Sequence, residues 1–205
     1  MKVKMILAAV AAMCTTLATA QENRFSAGLE LGLPMGDFGK AAGIGFGASL
    51  GFEMPVSQNL GIVAQLGYLN FSGKDMTVAG MKVEGSSQGV IPIQVGAKYY
   101  VSDGQEGFYV GLLTGVHMAM VKVPEITVDP VTFAVTTEEK TQTNTNFSLA
   151  PLVGFMVTEN IDVSLRYQMI FASTEVVNPV TMAVTKDSSM NSYLGVRIAY
   201  MFGER

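Results

Sequence analysis

The sequence predicts an all-β chain: a closed, antiparallel, up-and-down transmembrane barrel of eight strands. Three observations predict it. The chain is 49% hydrophobic and only 15% charged, against about 25% charged residues in soluble domains. Beyond the N-terminus, however, no apolar run approaches the roughly 20 residues of a membrane helix. Eight segments alternate apolar and small or polar residues, and their connections alternate long and short, as membrane barrels do.

The N-terminus is read first. Lys2 and Lys4 precede a short apolar run from Met5 to Met13, and a polar stretch leads to Ala18-Thr19-Ala20. This is the layout of a secretory signal peptide, so residues 1–20 are expected to be removed and 21–205 to form one domain. Cys14 is the sole cysteine. A lipoprotein anchor would need a small residue before it, and Met13 stands there. After cleavage no cysteine remains, so no disulfide is expected. The mature chain keeps 11 basic against 17 acidic groups, a net charge near −6. That balance argues against nucleic acid as a partner, which calls for a basic surface.

The eight strands follow in order. The first runs from Arg24 to Leu33, with Phe25, Ala27, Leu29, Leu31 and Leu33 on one face. The second presents Phe46, Ala48, Leu50, Phe52 and Met54, and the third Leu60, Ile62, Ala64, Leu66 and Tyr68. The fourth gives Ile91, Ile93, Val95, Ala97, Tyr99 and Val101; the fifth Phe108, Val110, Leu112, Thr114, Val116 and Met118. The sixth gives Phe147, Leu149, Pro151, Val153, Phe155 and Val157. The seventh gives Ile161, Val163, Leu165, Tyr167, Met169 and Phe171, and the eighth Leu194, Val196, Ile198, Tyr200 and Phe202. None of these positions is charged, and Thr114 is their only aliphatic polar side chain. Pro151 removes a ladder hydrogen bond, so a bulge is expected there, or a spanning segment that starts nearer Leu152.

The opposite face is mostly glycine with scattered polar groups. This contrast separates a membrane barrel from a soluble barrel or sandwich. A water-exposed face should be dense in Lys and Glu, whereas a glycine-rich face suits a tight polar bore. The connections span 34–43, 55–59, 72–88, 102–107, 121–144, 158–160 and 172–190. An even strand number places both termini in the periplasm and the long loops outside. Aromatic residues fall near both expected interfaces: Phe25, Phe52, Tyr99, Phe108, Phe155, Tyr200 and Phe202 at the periplasmic ends, and Phe46, Tyr68, Phe147 and Phe171 at the outer ends. Residues 129–136 (DPVTFAVT) nearly repeat 178–185 (NPVTMAVT). Both are read as hairpin arms that prolong the strands beyond the membrane, either a duplicated β-rich loop or a paired binding surface.

Alternation turns Glu30, Glu53, Lys98, Asp162, Arg166 and Arg197 inward. Closure of the first strand on the last brings Glu30 towards Arg197, with Arg166 next door. A carboxylate in a narrow bore must be paired, so these six are expected to form a structural ion-pair network. The alternative is a gate or selectivity site, with the inward glycines leaving room for a channel. His117, the sole histidine, has no second His and no Cys for a metal site. The chain has no phosphate loop and no nucleophile elbow. No cofactor, metal or catalytic residue is expected.

The opening strand Ser26-Ala27-Gly28-Leu29-Glu30-Leu31-Gly32 and the closing strand Leu194–Phe202, with the signal ending at Ala20, resemble the small outer-membrane β-barrel proteins of the OmpX and OmpA-transmembrane type. The resemblance implies residence in outer-membrane lipid of a Gram-negative cell. It also implies Tyr200 and Phe202 as an assembly signal for the barrel assembly machinery, although Gly203-Glu204-Arg205 follow them. Outer-membrane lipid deacylases share the topology but carry a His-x-Ser pair, and here the sequence is His117-Met118-Ala119. The expected function is a non-enzymatic surface, adhesion or envelope-integrity role, with an extracellular ligand met by loops 72–88, 121–144 and 172–190. A narrow porin-like solute channel is the alternative, and an envelope lipid-modifying enzyme a more distant one.

Overall fold

Strict alternation places every second side chain on the same face of a strand, so each of these segments can bury one stripe and expose the other. The computed structural model describes residues 23–78, 81–83, 85, 87–128, 135–177 and 184–202. The expected signal peptide and the first six residues of each matching octet, 129–134 and 178–183, lie outside the described residues. The elements are β1 (Arg24–Met35), α1 (Phe38–Ala41), β2 (Ala42–Pro55), β3 (Leu60–Gly73), β4 (Met76–Val78), β5 (Met81–Val83), β6 (Gln88–Tyr100), β7 (Gly107–Val128), β8 (Val135–Met156), β9 (Ile161–Val177) and β10 (Val184–Phe202). Eight of the strands close in the order β1-β10-β9-β8-β7-β6-β3-β2, every pair antiparallel, while β4 and β5 form a small separate hairpin.

The apolar stripes point outward. Leu29 is 74% exposed, Phe46 66% and Leu50 62%, whereas Glu30 between them is 4% exposed. A belt of that size is unsuited to water and suited to hydrocarbon. Closure leaves no sheet edge, which is what lets strands cross a bilayer. Thr114, the polar exception in the belt, donates its hydroxyl to the Ser148 carbonyl at 3.3 Å, so it carries no bare donor into lipid. Across the short-turn end, Phe25 stands opposite Phe52 on one side and Phe202 on the other. Phe108 faces Phe155 in the same girdle, and Phe147 stacks on Phe171 near the long-loop end.

Two short turns use the same chemistry. Ser57 Oγ accepts from the backbone N–H groups of Asn59 and Leu60, and Thr158 Oγ1 accepts from those of Asn160 and Ile161. The Asn side chain of each turn then donates to a neighbouring strand end, Asn59 to the Tyr100 carbonyl and Asn160 to the Met201 carbonyl. A hydroxyl that satisfies its own turn fixes a tight reversal without outside help.

Three expectations are corrected. No bulge forms at Pro151. The β8–β9 register is the same on both sides of it, with Leu149 opposite Met169 and Leu152 opposite Arg166, and the β7 ladder runs through unbroken. The missing N–H therefore interrupts one ladder and spares the other. Pro92 does the same in β6, where pairing lapses towards β3 but not towards β7. Secondly, 121–144 and 172–190 are largely not loops. β7 and β8 stay paired out to Val128 and Val135, and β9 and β10 out to Val177 and Val184. Thirdly, the first long connection contains the one-turn helix α1, whose buried Phe38 turns into the barrel mouth. On its exposed side the Lys40 ammonium donates to Asp37 at 2.7 Å, which lowers the Asp37 carboxyl from its ordinary range and raises the Lys40 amine.

Candidate functional site

The six inward charges expected from alternation all lie in the bore, each no more than 6% exposed, and Arg24 joins them. Together they form one linear chain of alternating sign. Arg24 Nη2 sits 3.5 Å from Glu53 Oε1, and Lys98 Nζ 3.0 Å from Glu53 Oε2. Lys98 reaches on to Asp162 Oδ2 at 3.4 Å, and Arg197 Nη1 lies 3.5 Å from the same oxygen. Arg197 Nε is 3.8 Å from Glu30 Oε1, and Arg166 Nη2 closes on Glu30 Oε2. Each of the three carboxylates is thus bracketed by two cations. Both ends of the chain are capped by a glutamine carbonyl: Arg24 donates to Gln105 Oε1 at 2.6 Å, and Arg166 to Gln65 Oε1 at 3.1 Å.

Hydroxyl groups complete the set. Tyr100 donates to Glu53 at 2.6 Å and Tyr109 to Asp162 at 2.5 Å. The Lys98 ammonium also stands 4.6 Å from the centre of the Tyr109 ring, a cation–π contact. Arg197 donates to Ser49 and Ser26, both at 2.8 Å. Buried charges are tolerable only when paired and hydrogen-bonded in this way. Glu30 stands opposite Arg197 in the β1–β10 register, but its closer partner is Arg166 from β9.

The inward glycines do not open a channel here; their missing side chains are filled by neighbours. A Cβ at Gly154 would run into the Tyr109 ring, and one at Gly45 into the Phe71 ring at 2.5 Å. Large side chains on one strand lie over glycines on another, so the bore packs like a core. The cavity left beside the charge chain, lined by Glu53, Lys98, Asp162 and Arg197 among others, measures about 20 Å³, room for about one water. A larger hollow of about 830 Å³ over Ala27, Ala48 and Leu66 lies on the outward apolar face, where lipid would fill it.

Nearer the long-loop end the bore is sealed by rings. Phe38 meets Phe71 at 5.1 Å between centroids, and Phe71 meets Tyr193 at 5.3 Å. His117 is 1% exposed and its Nε2 lies 3.2 Å from the Tyr193 hydroxyl. Above this seal the mouth widens into a polar cup of about 530 Å³.

Sequence reasoning overlooked Arg24, Gln65, Gln105, Tyr100 and Tyr109 as members of the site. Parity could have found four of them: Phe25, Ala64, Tyr99 and Phe108 point outward, so their immediate neighbours point inward. Gln105 gives no such signal. It lies in a turn with φ +57°, the left-handed region that costs a non-glycine residue energy. That conformation brings its side chain under the barrel, where it also donates to the Ser57 and Leu60 carbonyls.

Among solved structures, the chain is similar in fold to Ail, the attachment invasion locus protein of Yersinia pestis. That match has a TM-score of 0.52 at 10% identity, covering 88% of this chain and 97% of that one. It is also similar to the outer membrane protein OprG of Pseudomonas aeruginosa, with a TM-score of 0.51 at 13% identity, covering 92% and 99%. The comparison with curated proteins returns no match. The family model described as the outer membrane protein beta-barrel domain matches residues 5–202. With nearly the whole chain inside that match, and an outward belt of uncharged side chains around a closed bore, the protein belongs to the outer membrane β-barrel domain family.

Proposed function

We propose that this outer-membrane barrel works at the cell surface through its long-loop end, and that it neither conducts solutes nor catalyses a reaction. The observation that carries the reading is the capped, alternating charge chain. Every carboxylate is held by two cations, and the space beside it holds about one water, so the bore acts as structural filling. In this reading residues 1–20 are a removed signal peptide and both termini lie in the periplasm. The paired arms of β7–β8 and β9–β10 then project outward, with Tyr200 and Phe202 as the signal read by the barrel assembly machinery. His117 has a tyrosine hydroxyl as its hydrogen-bond partner, which supports a packing role over catalysis. A crystal structure of Ail holds the heparin analogue sucrose octasulfate; for this chain an extracellular ligand is an inference from the exposed arms.

The test is to shorten both arms in register. Replacing 123–140 and 174–187 each by an Asn-Gly turn would leave Lys122 opposite Thr141 and Ser173 opposite Ser188. The trimmed barrel is expected to keep its heat-modifiable gel migration while cells expressing it lose binding to host-cell or matrix surfaces. Unchanged surface binding would count against the proposal, as would discrete conductance steps from the intact protein in planar bilayers.

A further inference from the structure

The cup above the ring seal is built from a different chemistry than the bore beneath it. Five carboxamides converge on it from three strands, Gln88 from β6, Gln142, Asn144 and Asn146 from β8, and Asn191 from β10, with Ser189 beside them. Among the described residues, none that lines it carries a formal charge, although the protein as a whole is acidic. Phe38, Val90 and Ile170 supply an apolar wall, and His117 forms part of the floor. The His117 ring is 1% exposed, and its Nδ1 has no hydrogen-bond partner. A buried polar atom left unpaired at the base of an open cup has hydrogen-bonding capacity that a ligand group or water can take up.

We infer that this cup binds the uncharged end of a saccharide. Its volume of about 530 Å³ falls in the range of small-ligand sites, roughly 300–1,000 Å³. A carboxamide both donates and accepts, as does a sugar hydroxyl, so a ring of carboxamides can serve a hydroxyl-rich ligand without desolvating any charge. The cup is blind, because Phe38, Phe71 and Tyr193 close its floor. A polymer can enter only by an end. The end of a peptide or a nucleic acid carries charge, and among the described residues no charged side chain lines the walls to receive it. The non-reducing end of a neutral glycan carries none, and its C–H face suits the Phe38 and Ile170 wall.

This inference concerns the barrel mouth and does not depend on the arm tips, so the two can fail separately. The full-length barrel, folded in detergent micelles, would be applied to an array of neutral, sialylated and sulfated glycans. Neutral disaccharides such as maltose, lactose and N,N′-diacetylchitobiose would then be titrated while the side-chain NH₂ signals of Asn146 and Asn191 are followed by NMR. Binding is expected on neutral glycans, with shifts in those two signals and at least a tenfold loss of affinity in Asn146→Leu/Asn191→Leu. The milder Asn144→Ala, at an exposed position, provides a second weakened variant should the double substitution impair folding. The arm-trimmed protein should still bind. The inference is overturned if no neutral glycan binds, if only anionic glycans bind, or if neutral binding is indifferent to both variants. Loss of glycan binding in the arm-trimmed protein alone would place the site on the arms and would also overturn it.

Discussion

The two ends of this bore share the same inward-facing positions and use them in opposite ways. Towards the short turns, seven charged side chains lie in a line, each carboxylate between two cations and both termini of the line capped by amides. Towards the long connections the inward polar residues are carboxamides, hydroxyls and one histidine, set against an apolar wall around an open cup. The lower arrangement pairs each of its carboxylates with two of its own cations and leaves Arg24 Nη1 and Arg166 Nε without a hydrogen-bond partner among the described residues; the upper one presents neutral polar groups to an open cup. Each end therefore tolerates change differently. A paired charge chain is rigid because removing any member strands its neighbours. Neutral polar groups near water lose little when altered.

The sharpest break of that contrast is Glu53→Ala. Glu53 is 2% exposed and accepts from Arg24, Lys98 and Tyr100. Its loss leaves Arg24 with Gln105 alone and Lys98 with Asp162 at 3.4 Å. Breaking a buried ionic set by deleting one member costs about 3–5 kcal/mol. Urea unfolding of the reconstituted barrel, read by gel migration, should show that loss, with a smaller one for Glu53→Gln, which keeps one acceptor oxygen. A Glu53→Ala barrel as stable as the parent would mean that the chain of charges is not what holds this end.

Leu112→Arg asks the same question of the outer wall. Leu112 is 50% exposed and stands opposite Pro151, amid the outward belt. An arginine facing hydrocarbon near mid-membrane costs about 2–4 kcal/mol. The expected result is a lower urea midpoint in lipid vesicles and little insertion in cells. Full insertion at parental stability would invert the assignment of the two faces.

Much of this architecture was legible in the sequence because strand parity is unforgiving. A slip of one residue would turn Glu30 into lipid and Leu29 into the bore, so the stripes could be read without coordinates. Closure of β1 on β10 likewise placed Glu30 beside Arg197. The parts that escaped have separate physical causes. Arg24 sits at the first position of β1, where only the outward Phe25 after it marks its face. Gln105 reaches the bore from a turn through a left-handed backbone, which no pattern of polarity encodes. The stretches 121–128 and 135–144 read as a connection because an apolar stripe is needed only inside hydrocarbon, whereas ladder pairing continues beyond it. Pro151 suggests a bulge only if its missing N–H weakens both neighbouring ladders, whereas a strand residue directs its N–H to one of them. The glycines of the bore hinted at a channel. Only the placement of Tyr109 over Gly154 and of Phe71 over Gly45 reveals that their space is taken.

The smallest effect is the most informative counterpart to Glu53. Asn144→Leu also replaces an inward polar side chain with an apolar one, on the same barrel and on the same class of strand position. Asn144 is exposed and lines the cup; it holds no place in the charge chain. Substitutions at such positions usually stay within about 0.5 kcal/mol. Urea midpoints for parent and variant should therefore coincide within error. A loss approaching that of Glu53→Ala would show that the cup is stitched into the stability of the barrel as tightly as the charge chain is. The free polar capacity at the mouth, on which a binding role depends, would then be structural after all.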